Sequence, residues 1–178
     1  MFEITPFDPE SYRRQTRKSS LVVIAIFAAL GMGLATLSVA LFGEPGGNNF
    51  RWNLAGILAG LVLTVLIVRH KLWHQPFMAA AAYGWQLKRN LMRITNVMHQ
   101  VEAGVAAGDP AAMKLLRFYH LGVAQMHRLD GNSSAEADFA RKSDQHLERM
   151  QEQDLAPEQT CYDPAWLEAV KKYKVAKK

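Results

Sequence analysis

Two uninterrupted apolar runs, Ser20 to Phe42 and Trp52 to Val68, stand out from the mixed pattern of the rest of this 178-residue chain. The first holds no Lys, Arg, Asp, Glu or His. As an α-helix it spans roughly 34 Å, more than a bilayer hydrocarbon core of about 30 Å. The second is shorter, but Phe50 and Trp52 suit one interface and Arg69 can snorkel toward the other. With the turn-forming stretch Gly43 to Arg51 between them, the runs predict a transmembrane helical hairpin over residues 20–68. Small residues recur at helical spacing inside it: Ala25, Ala29 and Gly33 in the first arm, Ala55 with Ala59 and Gly56 with Gly60 in the second. In lipid such faces let backbones approach closely, so they predict packing against the other arm, a second copy or another membrane subunit.

After the second run the period changes. Gln75-Pro76 predicts a bend, and from Phe77 the apolar positions Ala80, Gly84, Leu87, Leu91, Ile94, Met98, Val101 and Val105 alternate by three and four. That stripe predicts one long helix, either a coiled-coil seam or the buried edge of a bundle, with Leu87, Leu91, Ile94, Met98 and Val101 as its packing residues. Asp109-Pro110 starts the next helix and Gly131 stops it. Ser133 with Glu136 reads as a capping box for a third helix to about Gln153, with Phe139, Leu147 and Met150 turned inward. Asp163-Pro164 opens a short last helix through Trp166, Leu167, Val170 and Tyr173. The expected fold is all-α: a segment 1–19, the hairpin 20–68, and a cytoplasmic helical domain 69–178. In the first segment Asp8-Pro9 predicts a short amphipathic helix at the membrane surface, read as a solvated lead-in that sets topology or, less simply, as a partner-docking motif.

The formal charge of +5 changes the picture only through its placement. Arg13, Arg14, Arg17 and Lys18 precede the first run, Arg69 and Lys71 follow the second, and the loop between holds Arg51 alone. By the positive-inside rule both termini face the cytoplasm, and those six cations lie at lipid headgroups. Nucleic-acid binding is not expected, because no aromatic platform or readout element accompanies the charge. A cleaved signal peptide is not expected either, since the first run is too long for such a core and a second follows at once. The lysine-rich end, Lys171 to Lys178, suits either anionic lipid or a solvated helix end.

Candidate chemistry is sparse. The single cysteine, Cys161, precludes an intramolecular disulfide and reads as a structural thiol in a reducing compartment. The pairs His70/His74 and His120/His127 lack the further ligands a metal site requires, and one reversed His99/Glu102 pair falls short of a di-iron centre. Catalytic triads, phosphate-binding glycine loops and paired catalytic carboxylates have no candidate, so no catalytic residue, cofactor or metal is expected. The arms carry no ionisable residue, which argues against an ion pathway built by this chain alone.

The segments Phe7-Asp8-Pro9-Glu10-Ser11-Tyr12-Arg13, Trp85 to His99 (WQLKRNLMRITNVMH) and Leu115 to Gly122 (LLRFYHLG) resemble a family of bacterial two-span inner-membrane proteins of unassigned function. The resemblance implies a multi-pass location in a Gram-negative cytoplasmic membrane and transfers no activity and no functional residue. The expectation is an integral membrane protein whose partners are the bilayer and another copy or a membrane subunit, serving as a non-enzymatic scaffold or accessory subunit. The alternative is a membrane-anchored sensor whose helical domain binds a small ligand.

Overall fold

The computed structural model describes residues 2–132 and 136–173, with the backbone alone at 136–138. Among them the chain is all-α but for one two-residue strand pair. In order come β1 (Phe2–Glu3), α1 (Pro9–Phe42), α2 (Phe50–Ile67), α3 (Ala79–Thr95), α4 (Met98–Ala106), α5 (Pro110–Asp130), α6 (Glu136–Glu152), β2 (Cys161–Tyr162) and α7 (Pro164–Val170). Two compact units result, one of residues 14–82 and one of residues 1–13 with 83–178.

The unit 14–82 is the hairpin. α1 carries the first apolar run, and α2 with the π-helical turn Val68–Leu72 carries the second; both are long and apolar enough to cross a membrane. Their apolar side chains, among them Leu21, Ile24, Leu41, Val62 and Val65, stay exposed. A soluble core would cover such a surface. The connecting loop is a compact turn: the Glu44 N–H donates to the Asn49 Oδ1 at 2.9 Å, the Asn49 amide returns a bond to the Glu44 carbonyl at 3.1 Å, and Gly46 takes φ +74°. Beside it Phe42 stacks on Trp52 with ring centroids 5.1 Å apart. At the opposite end Gln75 is extended, as the residue before a proline must be, and Pro76 opens a single 3-10 turn leading into α3.

The other unit is a bundle centred on α5, whose Ala112, Leu115 and Phe118 are fully buried. α5 begins and ends where its sequence predicts. The Asp109 carboxylate accepts from the Ala111 N–H at 2.8 Å, Pro110 fills the first turn, and Gly131 closes the helix at φ +73°. α6 and α7 pack on α5, adding Met150 and Val170 to a core with Leu87, Leu91, Ile94, Val101 and Val105. The capping box read from Ser133 and Glu136 lies outside the described residues.

Three expectations need correction. The stripe from Phe77 to Val105 is not one helix: α3 ends at Thr95, the Val97 N–H turns back to the Ile94 carbonyl at 3.0 Å, and α4 begins at Met98. Thr95, Asn96 and Val97 are three consecutive weak helix formers, so the chain bends there and both halves of the stripe still meet one core. The first apolar run has no separate amphipathic helix before it, because α1 runs unbroken from Pro9, capped by Asp8 accepting from the Ser11 N–H at 2.8 Å. And the amino-terminal segment is not a solvated lead-in. β1 pairs antiparallel with β2, Phe2 against Tyr162, while Phe2 and Phe7 lie 5.6 and 4.7 Å from the Tyr83 ring. The Gln125 amide donates to the Thr5 carbonyl at 3.1 Å, and Tyr12 is buried against Gly84. The segment's aromatic residues close the bundle they belong to, since exposed Phe side chains gain most from burial.

Candidate functional site

The end of the hairpin opposite the loop gathers its cations. Gly60 lies against Gly31 and Gly56 against Ala35, which sets an antiparallel register between the arms. Extrapolated nine residues on, into the π-helical turn, that register puts Arg69 about level with Val22 and Lys71 about level with Ser20, at the end of α1 that carries Lys18, Arg17 and Arg14. Ser19, buried here, closes the base by donating its hydroxyl to the Phe77 carbonyl at 2.6 Å. At 1.5 Å per residue the five cations fall within a band about 12 Å deep. All five are exposed. Within residues 14–82 the one acidic residue is Glu44, in the loop at the far end. Among the described residues no carboxylate forms an ion pair with any of the five, including Glu10, one turn before Arg14. Arg13 sits in the helical unit, where its guanidinium donates to the Leu129 carbonyl at 3.4 Å near the end of α5.

The small residues divide into two sets. Gly56 and Gly60 are buried, and a Cβ at either would strike the backbone of α1 at Leu34–Ala35 or Leu30–Gly31. Thr64 extends that face, its hydroxyl bonded to the Gly60 carbonyl at 2.7 Å. Gly31 and Ala35, not Ala25, Ala29 and Gly33, supply the facing surface of α1; Gly33 has open space around it. Ala25, Ala29, Gly33, Ala55 and Ala59 all lie on exposed faces. The periodicity of small residues alone could not choose between the two sets, because both repeat every fourth position. In the bundle, Leu87, Leu91, Ile94 and Val101 are core and Met98 lines its edge.

The sequence reading missed a histidine pair. His120 on α5 and His146 on α6 are buried with rings 5.4 Å apart, edge to face, and Phe139 stands 5.2 Å from His120. His146 Nε2 donates to the Met113 carbonyl at 2.9 Å, while His120 Nδ1 is buried with no hydrogen-bond partner among the described residues. Burial, then the neighbouring His146, pushes the His120 pKa down to about 4, and burial lowers that of His146, so both rings are neutral near pH 7. The spacing of Phe139, Ser143, His146 and Met150 along one face of α6 is the signal that could have found the second ring. Among the described residues no three His, Cys, Asp or Glu side chains converge as a metal site would need.

The carboxyl-terminal lysines divide as well. Lys172 pairs with Asp109 at 2.7 Å and Lys171 with Glu168 at 2.7 Å. The Tyr173 hydroxyl also donates to Asp109 at 2.8 Å, and these bonds, that from Lys172 foremost, hold the Asp109 carboxyl down at about 2. Lys174, Lys177 and Lys178 lie outside the described residues.

A family model described as a protein of unknown function, DUF3087, matches residues 2–167. The chain belongs to that family. The DUF3087 match takes in the hairpin, the strand pair, the bundle through α6 and the first part of α7. No curated protein and no solved structure matches the chain.

Proposed function

We propose that this DUF3087 protein is an integral protein of a bacterial cytoplasmic membrane, anchored by the hairpin with both termini inside, and that its helical domain serves as a non-enzymatic interaction module, an accessory subunit or scaffold of a membrane assembly. The observation that carries the reading is the hairpin itself: two long apolar arms pack on each other through Gly56 and Gly60 and leave their Leu, Ile and Val side chains outward, a surface suited to lipid. The one-sided cations support the orientation. The stacked Phe42 and Trp52 at the other end suit the opposite interface, where amphipathic rings concentrate. The interaction role is supported by how the buried polar groups are used: Ser19, Thr64, Gln125 and His146 each bond a backbone carbonyl, which ties elements of the fold together.

The test combines location with capture. Membrane vesicles are washed with alkaline carbonate, and variants carrying one cysteine at Gly47, with Cys161 changed to Ser, are labelled with an impermeant maleimide. The protein is expected to stay with the membrane and Gly47→Cys to react from outside intact cells, while a tag after Lys178 is reached only after permeabilisation. Release by carbonate, or a tag accessible from outside, overturns the reading. Purification in mild detergent is expected to bring down a stoichiometric protein partner or a second copy. A bound small molecule in their place would favour the sensor role.

A further inference from the structure

Within residues 14–82 the cation band at the base of the hairpin has no carboxylate near it, and among the described residues none of its five cations forms an ion pair. Arg14, Arg17, Lys18, Arg69 and Lys71 lie exposed at the same end of the two arms, and the Ser19–Phe77 bond holds the chain segments that carry them together. Here the antiparallel register set by the glycine contacts carries Arg69 and Lys71 to the end of the hairpin that holds Arg17 and Lys18, and within residues 14–82 the one acidic residue, Glu44, is at the other end. Five like charges within about 12 Å repel one another, so an external anion lowers their energy. The interfacial layer on each side of a bilayer is about 5 to 8 Å thick, which long Lys and Arg side chains can reach from anywhere in that band.

We propose that this band is a binding site for the phosphodiester headgroups of anionic phospholipids, holding a small shell of such lipids around the base of the hairpin. The inference rests on the membrane reading above. The recognised chemistry is a phosphodiester anion whose acyl chains lie along the outward Leu and Ile side chains of the arms. Guanidinium groups of Arg14, Arg17 and Arg69 engage phosphate oxygens in a forked geometry, and Lys18 and Lys71 add point charge. A free phosphate would meet the cations without the apolar contacts, so the lipid is the favoured source of the anion.

The full chain, purified in neutral detergent, is offered equal amounts of phosphatidylglycerol and phosphatidylcholine, and the retained lipid is counted by native mass spectrometry. The wild type is expected to retain phosphatidylglycerol over phosphatidylcholine by at least about fivefold, the contribution of a single engaged cation, and to lose the preference as salt rises toward about 1 M. Replacing Arg14, Arg17, Lys18, Arg69 and Lys71 together by Gln should abolish the preference, R69Q/K71Q should reduce it, and R51Q at the opposite end should leave it unchanged. The pair variant, checked for unaltered helical circular dichroism, decides the matter if the fivefold variant fails to fold. Equal retention of the two lipids by the wild type, an undiminished preference in R69Q/K71Q, or displacement of the lipid by equimolar inorganic phosphate overturns the proposal. Failure to associate with pure phosphatidylcholine vesicles would instead sink the membrane reading on which it stands.

Discussion

At Gly56 and Gly33 the same residue type meets opposite fates. Gly56 is buried where any side chain would enter the backbone of α1, whereas Gly33 faces open space. Gly56→Ile therefore has to separate the arms, at a cost of about 1–3 kcal/mol as in other overpacked sites, and Gly33→Ile should cost nothing measurable in the isolated protein. Thermal unfolding of the two variants in the same detergent measures the difference; equal midpoints would show that the arms do not pack through Gly56. Sequence spacing nominated both glycines alike. What separates them is the rotation of each arm about its own axis, which is decided by Gly31 and Ala35 on the partner helix and by no periodicity within either run.

Helices α5 and α7 begin with the same device, Asp before Pro, and both caps were legible in the sequence because capping is local: a carboxylate reaches an amide two residues on. Asp109 does more than its sequence announces. Lys172 and Tyr173, more than sixty residues away in the chain, converge on the same carboxylate, tying the end of α7 to the start of α5. Asp109→Ala removes a helix cap and leaves the Tyr173 hydroxyl without its acceptor, with an expected loss of about 1–2 kcal/mol, while Asp109→Asn keeps the cap and should recover roughly half. Denaturant midpoints of the two variants check this; an Asn variant as unstable as the Ala variant would place the effect in the ion pair. The break between α3 and α4 belongs to the same scale. An apolar stripe records which residues face a core, and a bend at Thr95–Val97 that keeps that face inward leaves no mark on it.

For the molecule as a whole, the buried histidines couple stability to acidity. His120 has its pKa lowered from 6.5 to about 4, so the unfolded chain binds a proton that the folded chain refuses between those values. Stability from this group is complete above pH 6.5, falls as pH drops through the window to about 4, and is level below it; the full loss is about 3 kcal/mol. Since carboxylates such as Asp109 act mainly lower, below 3.8, the two effects separate. The slope of unfolding free energy with pH between 7 and 4.5 should flatten in His120→Phe relative to wild type; an unchanged slope would show that His120 is already accessible to protons.

Helix content, the hairpin, the caps and the one-sided charge were determined by sequence alone, because each depends on neighbours within a few positions: apolar length against bilayer thickness, Asp against a nearby amide, Lys and Arg beside the runs they flank. Tertiary structure decided the partnerships. It folded Phe2 and Phe7 into the bundle instead of leaving them in solvent, chose Gly56 and Gly60 over Ala55 and Ala59, paired His120 with His146, and brought Arg69 and Lys71 to the same end of the hairpin as Arg17 and Lys18. Those choices depend on the register and rotation of elements far apart in the chain, and such quantities exist only once two surfaces have packed, because close packing admits one interlock where periodicity admits several.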